Sequence, residues 1–157
     1  MSMRPYPEGI DCVWLASDRE GHLGVFITAG VGPIPVLALD SLSTPIVEIE
    51  SKLYQLPTVS QAKLLVSVKR PDDLIDLAER GMFVYDWTDI GRTARESLNV
   101  YESAAVPTVP MTIESLPSDL AVLARILNIP GLVFAEENEI DVRAYLECAN
   151  VEPLGSS

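Results

Sequence analysis

Residues 63–87 read KLLVSVKRPDDLIDLAERGMFVYDW: an apolar run, an amphipathic stretch and a second apolar run. No other part of the chain constrains the fold so tightly. Residues 63–69 read as a buried strand. Pro71 suits the first helical turn, where a missing N–H costs nothing. Asp72 and Asp73 meet the positive end of the helix dipole and Arg80 the negative end, while Gly81 fits the C-terminal cap. Leu74, Leu77 and Ala78 then share one apolar stripe. Residues 82–87 resume as a strand. This succession predicts a βαβ crossover, and with it parallel pairing in the sheet.

A second local signal lies upstream. Residues 10–17 (IDCVWLAS) and 22–30 (HLGVFITAG) are β-like runs joined by DREG. They predict a hairpin with Asp18 opening the turn and Gly21 at positive φ. Trp14 and Phe26 are expected to be mostly buried. Residues 30–35 (GVGPIP) read as a loop, because two prolines exclude a central strand or a helix interior. Residues 44–57 place Ile46, Ile49, Leu53 and Leu56 at helical spacing, between Pro45 and Pro57.

Further on, residues 88–99 read as a loop or irregular helix. Residues 100–114 read as extended, with Pro107 and Pro110 marking an edge or a bend. Residues 117–128 predict a helix, 132–135 a short strand, and 136–150 a last helix with Ile140, Ala144 and either Leu146 or Cys148 inward. The expected fold is α+β or α/β: one globular domain over residues 1–152, with a mixed sheet, an N-terminal hairpin and about four packed helices, then a flexible tail over 153–157.

Charge excludes several function classes. The formal net charge is -12, with -4 over residues 1–95 and -8 over residues 96–157. Nucleic-acid binding needs clustered Lys and Arg, and an anionic membrane surface needs the same. The acidity fits either a solubility effect or a basic partner steered by the opposite field. No run approaches the ~20 apolar residues of a membrane helix, and the N-terminus has no signal-peptide core. Cys12 and Cys148 read as two buried thiols in a reducing cytoplasm, a terminus-to-terminus disulfide being the alternative.

Catalytic signatures are missing from the residues. GVGPIP has no third glycine and no helix directly behind it, so it is not a phosphate loop. His22 stands alone, without the ligands of a zinc site or the partners of a general base, and is expected to be an exposed polar residue. The acids of residues 136–141 (EENEID) lack the spacing of a calcium loop. No catalytic, cofactor or metal residue is therefore assigned. What remains is recognition. Residues 85–89 (YDWTD) combine aromatic and acidic side chains, and Tyr85, Asp86, Trp87, Asp89, Glu136, Glu137 and Glu139 are the candidate partner-binding residues.

Two stretches, residues 11–35 and 77–87, carry a family likeness through Trp14, Asp18, Gly21, Phe26, Gly30, Gly32, Pro33 and Pro35, then Leu77, Ala78, Gly81, Tyr85 and Asp86. They resemble small, acidic bacterial immunity proteins of polymorphic and contact-dependent toxin systems. The resemblance implies a non-enzymatic cytoplasmic protein that neutralises a cognate, basic toxin by direct binding. The shared residues look like fold markers, so no catalytic residue carries over. A small carboxylate-dependent enzyme and a self-assembling structural or regulatory subunit are the alternatives.

Overall fold

The computed structural model describes residues 10–40, 44–66, 71–88 and 100–149. Strands β1 (Val13–Asp18) and β2 (Leu23–Ile27) form the expected hairpin, with Val13 opposite Ile27 and Ser17 opposite Leu23. Gly21 takes φ +76°. The Asp18 carboxylate closes the turn by accepting the amides of Glu20 at 2.9 Å and His22 at 3.0 Å. The loop after it is less irregular than its prolines imply. Ile34–Pro35 is a short strand, β3, leading into helix α1 (Val36–Leu39). Proline is tolerated there because the pairing involves only two residues at a sheet edge.

Helix α2 (Ile46–Leu53) follows Pro45 and buries Ile46, Ile49 and Leu53, with Leu56 buried just beyond. Strand β4 (Ala62–Leu64), helix α3 (Asp72–Glu79) and strand β5 (Phe83–Trp87) form the anticipated strand–helix–strand unit. Leu74, Leu77 and Ala78 are the buried residues of α3, and Gly81 takes φ +90° at its end. Two features differ from expectation. Strand β4 is a half-exposed edge strand rather than a buried one, and residues 67–69 lie outside the described residues. The crossover is also split. Strand β6 (Tyr101–Pro107) lies between β4 and β5 and runs antiparallel to both. The parallel neighbour of β5 is instead β2.

Strand β6 is thus interior, so of the edge or bend its prolines suggested the bend holds, at residues 108–109. Pro107 is its last residue and lies past the segment paired with β5, so no bond to that strand is lost. Helix α4 (Ser118–Ile126) leads into strand β7 (Asn128–Ile129), which pairs in parallel with β1. The remainder departs from the sequence reading. Residues 134–136 form a 3₁₀ turn where a strand was expected. The stretch expected as a final helix is strand β8 (Glu139–Ile140), a 3₁₀ turn (Val142–Ala144) and strand β9 (Cys148–Ala149). Its backbone bonds go to distant partners: Asn138 accepts the Ser103 amide at 2.8 Å, and Glu147 accepts the Val36 amide at 2.9 Å. Ile140 is buried as expected, but Ala144 is exposed and Val142 takes the inward place.

The fold is therefore α+β. Among the described residues a seven-stranded mixed sheet runs in the order β4-β6-β5-β2-β1-β7, with β8 paired to β6, and β3 and β9 form a separate two-stranded pair. One face carries an aromatic row set by register, in which Trp14 stacks on Phe26 at 4.2 Å and Phe26 on Tyr85 at 5.1 Å. Tyr101 meets both Trp14 and Phe26 edge-on. Its hydroxyl accepts from the Trp14 indole at 3.3 Å and donates to the Pro33 carbonyl at 2.8 Å. Over the opposite face the Ser17 hydroxyl donates to the Ala124 carbonyl in α4 at 2.6 Å. Lys52 ties α2 to α4 through Asp119 at 2.8 Å, and Arg80 ties the end of α3 to the carbonyls of Tyr54 and Leu56.

Candidate acidic recognition site

Alternation along β5 separates the side chains that the sequence groups together. Tyr85 and Trp87 project to the aromatic face and Asp86 to the other. Tyr85 is wholly buried, and its hydroxyl donates to the carbonyls of Phe134 at 2.9 Å and Glu137 at 2.8 Å. Trp87 is 6% exposed, against Tyr101 and under the Arg143 guanidinium. Neither ring is available as a surface anchor, which corrects their assignment to the partner-binding set. Asp89 lies outside the described residues.

The acids behave differently. In β5–β6 Asp86 stands opposite Glu102, and in β6–β8 Glu102 stands opposite Glu139. Directly opposed residues share a face, with Cβ atoms about 4.5–5.5 Å apart. Asp86, Glu102 and Glu139 therefore form one carboxylate row across three strands. Glu102 is 4% exposed, while Asp86, Glu137 and Glu139 are half-buried and Glu136 is exposed. The Tyr85 hydroxyl fixes the Glu137 backbone, and with it the approach to β8. Asp86 and Glu102 each have further interactions within the chain. Like charges placed opposite one another cost stability, and those further interactions bear on how much of that cost remains. Sequence reasoning found Asp86 and Glu139 but missed Glu102. The alternation in YES (101–103) would have set Glu102 apart from Tyr101; the register that joins the three acids is not local information.

A second group of acids was also missed. Glu50 on α2, Asp73 on α3 and Asp11 before β1 interact electrostatically. Burial first, then Asp11 and Asp73, push the Glu50 carboxyl above its ordinary value. Burial, followed by Asp73, Glu50 and Asp76, also raises the neighbouring Tyr54 phenol, opposed by Arg80. The Tyr54 hydroxyl is buried, with no hydrogen-bond partner among the described residues.

Other candidates resolve into structural roles. The buried Asp18 carboxylate accepts a third amide, that of Phe134, at 2.8 Å, and so joins the hairpin turn to the C-terminal segment. His22 is not the exposed residue expected. Its side chain is 24% exposed, it bridges to Thr112, and its Nδ1 lies 3.9 Å from Glu20, too far for a hydrogen bond. Both cysteines are free thiols. Burial is the main cause that pushes Cys148 up to about 12. It also raises Cys12, with Asp11 and Glu50 adding to the effect. Among the described residues no group of three or more His, Cys, Asp or Glu could hold a metal ion. A mostly apolar groove of about 230 Å³ is lined by Pro35, Val36, Leu37, Leu146 and Glu147.

No described helix is long and apolar enough to cross a membrane. Comparison of the chain with protein-family models, curated proteins and solved structures finds no match.

Proposed function

We propose that this chain is a non-enzymatic binding protein, an immunity protein of the cytoplasm that neutralises a basic bacterial toxin by direct contact. The observation that carries the reading is the acidic segment around β8, where Glu136 is exposed and Glu137 and Glu139 are half-buried. Acids from distant parts of the sequence converge on one side of β5, β6 and β8, with Glu136 and Glu137 on the adjoining segment. The contact face centres on Glu136, Glu137 and Glu139. Complementary fields accelerate encounter and select the partner. Exposed isolated ion pairs would add little, below ~1 kcal/mol each. Pairs desolvated at the centre of an interface count for far more, and truncating one costs ~2–5 kcal/mol.

The test begins with tagged protein used to capture its partner from the producing cell. The purified partner is then assayed for toxic activity with and without this chain. Stoichiometric inhibition is expected, and it should weaken when Glu136, Glu137 and Glu139 are together changed to Lys without loss of fold. A captured partner whose activity is unaffected by this chain would refute the neutralising role. Full inhibition by the triple variant would refute the assigned face.

A further inference from the structure

We draw no further inference here: the strongest candidate, the side-chain cluster of Asp11, Glu50 and Asp73 beside the buried Tyr54 hydroxyl at the α2–α3 junction, is an acidic cluster for which no second feature among the described residues points to a ligand.

Discussion

At Gly24 two effects of opposite sign compete. Replacing a strand glycine by alanine restricts the unfolded chain and stabilises by about 0.4–1 kcal/mol where the backbone permits it. Here the new methyl would sit 2.8 Å from two atoms of the Phe134 ring, itself 1% exposed. Overpacking of this kind costs about 1–3 kcal/mol, so Gly24→Ala should be net destabilising, read as a lower urea midpoint at unchanged slope. Trp14 tests the aromatic row from the other direction. It is wholly buried between Phe26 and Tyr101, and Trp14→Ala should cost ~3–5 kcal/mol. An unchanged melting curve would contradict the packing described for it. Asp18 is a polar counterpart. Three amides depend on its carboxylate, and leaving even one buried donor unmet costs about 1–3 kcal/mol. Asp18→Ala should therefore destabilise by at least that much. Asp18 and Trp14 were visible in the sequence as a turn former and a buried aromatic, whereas nothing local set Gly24 apart. The tie from Asp18 to Phe134 was not visible either, because it spans most of the chain.

The elements divide by how local their signals are. The hairpin, α2, α3 and α4 carry local signals in turn residues, prolines and apolar spacing; the hairpin, α2 and α3 appear with the buried side chains expected of them, and α4 appears as a helix. The segment over 136–150 carries acids followed by loosely spaced apolar residues, which resemble a helix start. Its backbone is instead held by β6 and β3, partners no local pattern reveals. The same limit explains the split crossover, since nothing in residues 63–87 announces that β6 will enter between the strands. Helix α2 carries a pH prediction. The raised pKa of Glu50 means that the folded state holds its proton more tightly than the unfolded state. Ionised Glu50 therefore costs stability at neutral pH, and the cost disappears as pH falls below the ordinary glutamate value of 4.5. Glu50→Gln should be the more stable protein at pH 7, with the gap closing in acid. A gap that widens on acidification would reverse the sign. Strand β9 carries a chemical one: with its thiol pushed up to about 12, Cys148 should react slowly with iodoacetamide at pH 8 until the chain is unfolded in urea.

Over the whole molecule, a charge of -12 is moderated by salt, which screens exposed charges beyond about 8 Å at physiological ionic strength. Besides the group of Asp11, Glu50 and Asp73, acids gather in the row through Asp86, Glu102 and Glu139. Its members were partly legible as acids of the second half of the chain. That they meet depends on strand register, and that Tyr85 and Trp87 do not join them depends on which face each residue of β5 takes. The most direct measurement is the association rate of the captured partner with the wild-type chain and with the Glu136→Lys, Glu137→Lys, Glu139→Lys variant, across a series of salt concentrations. Steering by this face predicts a wild-type rate that falls steeply with salt, and a variant rate on the order of tenfold lower at low salt, with the difference shrinking as salt rises. Equal rates at every ionic strength, for a variant that is still folded, would contradict the claim that this acidic face recognises the partner.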